Sequence, residues 1–176
     1  PRCSKLDLLK PSYATRYAKN ASQSAHPNLW DGLVGAWMPS LGVTGETLRD
    51  VSGNGNHGTL TNMDAASDWV GTSKGLALDY TGGNQRVSGS IDPSVFAGAH
   101  TISCWFNRRA TASWGAFFTN NSGSPYQASS FGFTSNTNRI GIHRVAVNAT
   151  DISVDLGATH FNEWIFASLH ISDYLI

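Results

Sequence analysis

The chain has 176 residues, of which 40% are hydrophobic, 11% aromatic and only 14% charged, with 18 Gly and six Trp. This length suits one domain with a sizeable core, and the aromatic content excludes a disordered chain. The formal net charge is zero, so no overall field attracts nucleic acid, and no apolar run reaches the ~20 residues that span a bilayer.

The charges are unevenly distributed. The first twenty residues hold five basic residues and one acidic residue, a net of +4, and the remainder has a net of −4. We expect residues 1–28 to form a basic N-terminal arm and linker, followed by one domain at residues 29–176. Such an arm could dock onto another copy of the chain or onto a partner; the alternative is a solvated leader segment.

The first half of the body alternates short apolar runs with polar turns. We predict strands at 33–38 and 58–62, an irregular stretch at 63–73, and a hairpin of 75–80 with 85–88 around a Gly-Gly-Asn turn. Gly35 permits the close approach of a neighbour. Asp92 and Pro93 have the residue types of a helix cap and first position, so one helical turn is expected at 92–96.

The second half continues with strands predicted at 100–108, 116–120, 130–134, 139–147, 152–156 and 164–172. Apolar and polar residues alternate along the first and last of these, so each should have two distinct faces. Ser103, Trp105 and Asn107 share one face of the first; Trp164, Phe166, Ser168 and His170 share one face of the last. Strands at this spacing, with no long amphipathic helix, favour an all-β, two-sheet antiparallel sandwich.

A polar corner lies at residues 47–61, TLRDVSGNGNHGTLT. Gly53, Gly55 and Gly58 are expected to adopt positive φ angles, and neighbouring asparagine amides to hydrogen-bond the local backbone. The loop has the composition of a tight connection between strands. His57 has the residue type of a base, but a single histidine in a loop is more often a hydrogen-bonded structural residue.

The same corner is a candidate metal site. Ca²⁺ takes six to eight oxygen ligands from carboxylates, amide side chains and backbone carbonyls. Asp50, Asn54 and Asn56, with the carbonyl of Gly53, could supply several of them. The alternative is that Asp50 accepts loop N–H groups and the corner holds no ion.

Four segments of the sequence follow one another with a familiar spacing: DGLVGAW (31–37), RDVSGNGNHGTL (49–60), GLALDYTGGNQRV (75–87) and HTISCWFNR (100–108). Together they resemble the laminin-G-like (LamG) jelly-roll family of the concanavalin A-like lectin/glucanase superfamily. The resemblance implies a jelly-roll sandwich that binds sugars or proteins, sometimes with calcium at the corner. Such a module would act at an extracellular, cell-surface or virion surface. A second hypothesis is a structural or decoration subunit of a virion (phage) or cell-surface assembly that docks through its arm.

The end of the sequence departs from the family pattern. Jelly rolls of this family continue past the strand that residues 164–172 resemble, whereas this sequence stops at Ile176. We therefore expect the domain to be incomplete at its C-terminal edge, and that edge to be paired or covered, for example in a homo-oligomer.

Catalytic residues are not expected. Glycoside hydrolysis requires two carboxylates that flank one bond, but the only two glutamates, Glu46 and Glu163, lie in separate loop-like stretches. No G-x-S-x-G nucleophile motif occurs. We therefore expect a binding module and not an enzyme.

Aromatic and amide side chains in predicted loops are candidates for a ligand platform, because loops commonly carry binding residues. The alternative is that most of the six Trp are core. A solvent-facing, coplanar aromatic pair would favour a glycan. The candidates are Trp114, Asn120, Asn121, Tyr126 and Phe131.

Overall fold

The computed structural model describes residues 23–82, 84–96, 98–109, 115–120, 129–133, 139–144, 152–156 and 160–172. The chain divides into two compact units, Pro1–Ile91 and Asp92–Ile176. Residues 1–22 of the predicted arm at 1–28 lie outside the described residues, a short helix at Pro27–Trp30 crosses the predicted boundary, and the division into arm and domain stays a prediction. No helix in the described part of the chain is long and apolar enough to cross a membrane.

The first unit is built from short strands. Strands β1, β2 and β5 form a sheet in the order β1-β2-β5, and β3 pairs with β4, all antiparallel. A 3-10 turn at Pro39–Leu41 precedes them. The bounds are α1 Pro27–Trp30, β1 Thr47–Leu48, β2 Gly58–Thr61, β3 Trp69–Thr72, β4 Gly75–Leu78 and β5 Arg86–Ser88.

A small hydrophobic core stabilises this unit. Leu48, Leu60 and Trp69 are buried together, and Trp37, Met63, Leu78 and Val87 pack against them. The indole N–H of Trp69 donates to the carbonyl of Gly45 at 3.0 Å, which satisfies the polar edge of a buried ring. Trp69 therefore belongs to the core.

Three predictions for the strands of this unit are wrong. The stretch 63–73, expected to be irregular, contains β3 at Trp69–Thr72. Residues 33–36 are not a strand, and only a single bridge joins Trp37 to Asp50. Side chains of the corner take the place of a neighbouring strand here, because they donate hydrogen bonds to the backbone carbonyls that such a strand would otherwise bind. The predicted hairpin is also wrong: β4 pairs with β3 across a two-residue turn, and β5 pairs with β2.

The second unit has two antiparallel sheets. One pairs β6 with β11 over eight residues, and the other has the order β10-β9-β8-β7. A 3-10 turn at Pro93–Phe96 stands where one helical turn was predicted, and Asp92 accepts a hydrogen bond from the Ser94 amide at 2.9 Å. The bounds are β6 His100–Asn107, β7 Gly115–Asn120, β8 Ser129–Phe133, β9 Arg139–Arg144, β10 Ile152–Asp155 and β11 Trp164–Ile171.

An aromatic cluster joins these two sheets. Phe106 of β6 stacks on Phe117 of β7 with ring centroids 4.4 Å apart, and Phe131 and Phe133 of β8 meet Phe117 edge-on. Ile102, Cys104, Ile165, Ala167 and Leu169 pack against this cluster from β6 and β11. Burial raises the pKa of the Cys104 thiol to about 11, as expected for a thiol in an apolar setting.

The predicted alternation along β6 and β11 is therefore confirmed. One face of the pair packs on the aromatic cluster, and the other face is exposed at every position from Thr101 to Trp105 and from Phe166 to His170. The described residues form mostly antiparallel strands with few short helices, which confirms the all-β class.

The last strand is paired along one side only in the described part of the chain. β11 binds β6 through all eight of its residues, and no second strand is paired with it among those residues. Residues 173–176 lie outside the described ranges. Coverage of the remaining edge by another chain stays a prediction.

Candidate functional site

The polar corner is held by hydrogen bonds of its central residues, 50–57. The Asp50 side chain is only 7% exposed. Its Oδ1 accepts from the amides of Ala36 at 2.9 Å and Ser52 at 2.8 Å. Its Oδ2 accepts from the Ser52 hydroxyl at 2.8 Å and the Asn56 amide at 2.9 Å. One carboxylate thus closes the loop and fixes it to residues 33–37.

The amide side chains of the corner continue the same attachment. Asn54 Nδ2 donates to the carbonyls of Leu33 and Val34 at 2.7 and 3.0 Å, and Asn56 Nδ2 donates to Val34 at 2.9 Å. These amides reach a segment about twenty positions earlier in the chain, and not their own loop as predicted. They replace strand pairing for residues that have none.

His57 and Trp37 complete the corner. The Nδ1 atom of His57 accepts the Asp50 amide at 3.0 Å, which confirms the expectation of a structural histidine. The indole N–H of Trp37 donates to the Asn56 carbonyl at 2.7 Å. Both rings therefore form hydrogen bonds with the backbone of the loop.

The glycines of the corner have two different reasons to be glycine. Gly53 and Gly55 have φ angles of 95° and 76°, as predicted. Gly58 does not have a positive φ; instead, a Cβ atom there would clash with the side chain of Val87 on the neighbouring strand. The prediction for Gly58 was wrong because close strand packing, and not turn geometry, excludes a side chain.

The electrostatics of Asp50 follow from these contacts. Burial opposes ionisation of the carboxyl, but hydrogen bonds from Ala36, Ser52 and Asn56 outweigh it and lower its pKa below 3.8. Within the described ranges, no three His, Cys, Asp or Glu side chains come together as a metal group. Both oxygens of the carboxylate accept hydrogen bonds, and calcium at Asp50, Gly53, Asn54 and Asn56 stays a prediction.

The predicted ligand platform is only partly described. Trp114, Asn121 and Tyr126 lie outside the described residues, and Asn120 ends β7 with its side chain undescribed. Phe131 is 5% exposed and packs in the aromatic cluster of the second unit. Its ring belongs to the core and offers no exposed platform.

A different set of side chains forms an exposed aromatic site. Trp105 of β6 and Phe166 of β11 are cross-strand partners, and they are 55% and 54% exposed. Their ring centroids lie 5.3 Å apart with the planes inclined by 49°. The pair is solvent-facing but not coplanar, so the two rings present a bent apolar surface.

Two polar cross-strand pairs continue the same face. The Ser103 and Ser168 hydroxyls are 2.8 Å apart, and the Thr101 hydroxyl lies 2.9 Å from Nδ1 of His170. All four residues are exposed. We call these six residues the outer face: Thr101, Ser103, Trp105, Phe166, Ser168 and His170.

Sequence reasoning found both halves of the outer face without joining them. The alternation assigned Ser103 and Trp105 to one stripe, and Phe166, Ser168 and His170 to another. The pairing of β6 with β11 links positions more than fifty residues apart, and the sequence pattern holds no signal for that register. The recurrence of bulky aromatics beside small polar residues in both stripes was the available sign.

Comparison with known proteins supplies no further assignment. The chain matches no family model, no curated protein and no solved structure.

Proposed function

We propose that this protein is a non-catalytic binding module whose outer face binds a glycan. The observation that carries the proposal is the Trp105–Phe166 pair, which is solvent-facing but inclined by 49° and not coplanar, beside two hydroxyl-bearing pairs. The proposal includes a concanavalin A-like jelly roll as the arrangement of the sheets and an extracellular, cell-surface or particle setting, because glycans are displayed there.

Covering two adjacent exposed rings with a ligand is energetically favourable. An aromatic side chain buries 150–250 Å² when it is covered, and adjacent exposed apolar groups commonly mark interaction sites. A sugar ring has one face of C–H groups, which pack on an aromatic ring, and a rim of hydroxyls. The outer face offers both an apolar surface and hydroxyl partners.

The chemistry of the outer face favours a glycan over a protein partner. Protein interfaces typically combine an apolar core with a polar rim and cover about 800 Å² on each partner. The outer face is a strip two residues wide, and its polar members are small hydroxyls and one imidazole. A protein ligand is therefore the alternative outcome of the test.

A glycan array tests the proposal with the full chain. We expect binding by the unaltered protein, and loss of binding in Trp105→Ala and in Phe166→Ala. Tyr80→Ala is the matched control because Tyr80 is an exposed aromatic residue outside β6 and β11. Each variant should lose only about 1 kcal/mol of stability, since the rings are exposed.

Three results would contradict the proposal. The first is an array with no signal from the unaltered protein, and the second is binding that survives both substitutions in the outer face. The third is the appearance of shortened glycans after incubation, which would indicate a hydrolase. A protein partner captured through Trp105 would replace the glycan in the proposal.

A second candidate function rests on the charge distribution alone. The +4 segment before residue 21 and the −4 remainder suit a subunit that docks in an assembly through its arm. Removal of residues 1–20 should then abolish a salt-sensitive oligomer seen by light scattering. An unaltered mass at low and high salt would exclude this candidate.

A further inference from the structure

The outer face has a linear order along the strands. Its three cross-strand pairs follow one another in register: Thr101 with His170, Ser103 with Ser168, and Trp105 with Phe166. Successive residues on one face of a strand are separated by ~7 Å, so the three pairs extend over ~14 Å. The aromatic pair lies at one end of this strip and the Thr101–His170 pair at the other.

Each polar pair keeps hydrogen-bonding capacity for a ligand. A serine hydroxyl has one donor and two acceptor sites. The bond between Ser103 and Ser168 uses one donor and one acceptor, so the pair retains a proton and several lone pairs. The pair is also held in place by its own bond, so less conformational entropy is lost on binding. A sugar hydroxyl, which both donates and accepts, matches such a pair.

The charge of the strip selects among glycans. None of its six side chains is a carboxylate, a lysine or an arginine. A sulfated or carboxylated sugar gains little from this surface and loses hydration when it is covered. The strip is therefore matched to uncharged hydroxyl groups.

From this geometry we infer that the ligand is a linear, uncharged oligosaccharide that lies along β6 and β11. One sugar ring packs against the bent apolar surface of Trp105 and Phe166, and the following units bind the Ser103–Ser168 and Thr101–His170 pairs. This inference rests on the function proposed above, because it assigns the class of glycan to the same face. It adds a direction along the strands, the length of glycan that fills the strip and a charge preference.

The test uses an array of neutral and acidic glycans from one to four sugar units. We expect the signal to rise with length up to three units and to favour neutral linear chains. A signal confined to acidic glycans, or an equal signal for one unit and three, would overturn the inference and leave the proposed glycan function intact. No signal on any glycan would overturn the proposed function itself.

A substitution at the far end of the strip tests whether the glycan extends along the strands or only stacks on the aromatic pair. Thr101→Val removes a hydroxyl and keeps the shape of the side chain. We expect it to weaken the binding of a neutral trisaccharide from the array by roughly three- to tenfold, and to leave binding of the monosaccharide unchanged. Thr59→Val, an exposed threonine of β2, is the control and should change neither.

The outcome is clear in both directions. Equal trisaccharide affinity in the unaltered protein and in Thr101→Val would overturn the placement of the chain along the strands. Trp105→Ala should abolish binding at every length, because every glycan uses the stacking end. Thermal melting of each variant verifies that it is folded.

Discussion

The corner and the outer face use similar polar residues in opposite ways. In the corner, Asp50, Ser52, Asn54 and Asn56 turn their groups toward the backbone of residues 33–36. In the outer face, hydroxyls and aromatic rings face the solvent. The comparison teaches that a polar, glycine-rich motif can be used up in holding the fold, while an ordinary strand pattern carries the exposed chemistry.

The largest effect is expected where the corner is broken. Asp50→Asn should lower the free energy of unfolding by about 3 kcal/mol, because the charged acceptor is lost and an NH2 group replaces one of the two oxygens that accept backbone N–H groups. Urea denaturation measures this difference. In contrast, Trp105→Ala in the outer face should cost about 1 kcal/mol.

Asp31→Asn is the control for this change. Asp31 is exposed, so the same chemical substitution should alter stability by no more than about 0.5 kcal/mol. Equal effects at Asp50 and Asp31 would show that the corner does not depend on its carboxylate.

A glycine in the segment that the corner holds gives the next effect. A Cβ atom at Gly35 would clash with the ring of Trp37, and that ring is fixed by its bond to the Asn56 carbonyl. Gly35→Ala should therefore cost about 2 kcal/mol, as in other overpacked sites. The change in thermal melting measures it.

Gly71→Ala in β3 is the matched substitution. No atom lies within 4 Å of a Cβ placed there, so we expect little change or a slight gain in stability. A loss at Gly71 equal to that at Gly35 would contradict the role assigned to Trp37. The pair of variants also tests the predicted close approach at Gly35.

The corner was largely predictable from sequence, because its chemistry is local. Glycines with positive φ and a carboxylate that accepts loop amides follow from residue types at short spacing, and Gly53, Gly55 and Asp50 confirm them. The partner of the loop was not predictable. Residues 33–36 have the composition of a strand, yet distant amide side chains bind their carbonyls.

The outer face was predictable only in halves. Local alternation gave the faces of β6 and β11, and the burial of Phe106 with the partial burial of Ile102 and Leu169 agrees with it. The pairing of Trp105 with Phe166 depends on a long-range register that local pattern does not specify. For the same reason the hairpin partner of β4 was misassigned, since β3 begins in a stretch without an alternating pattern.

The smallest expected effect is a pH dependence of stability. It should arise from the Asp50 carboxylate in the corner, whereas the outer face has no carboxylate. Burial raises the pKa of the Asp50 carboxyl, but the hydrogen bonds from Ala36, Ser52 and Asn56 lower it further, so the net pKa lies below 3.8. The unfolded chain therefore takes up this proton first as the pH falls. The stabilisation by Asp50 is complete above about pH 5 and is lost progressively below about pH 4, as the pH passes through the folded-state pKa.

Urea midpoints between about pH 5 and about pH 3 measure this loss. The unaltered protein should lose stability more steeply than Asp50→Asn, whose corner has no proton to bind. Hydrogen bonds from Ser94 also lower the pKa of Asp92, but this group is present in both proteins and cancels in the comparison. Trp105→Ala should lose stability with pH as the unaltered protein does, because no carboxylate belongs to the outer face. Parallel curves for the unaltered protein and Asp50→Asn would show that the Asp50 carboxylate does not cause the loss of stability at low pH.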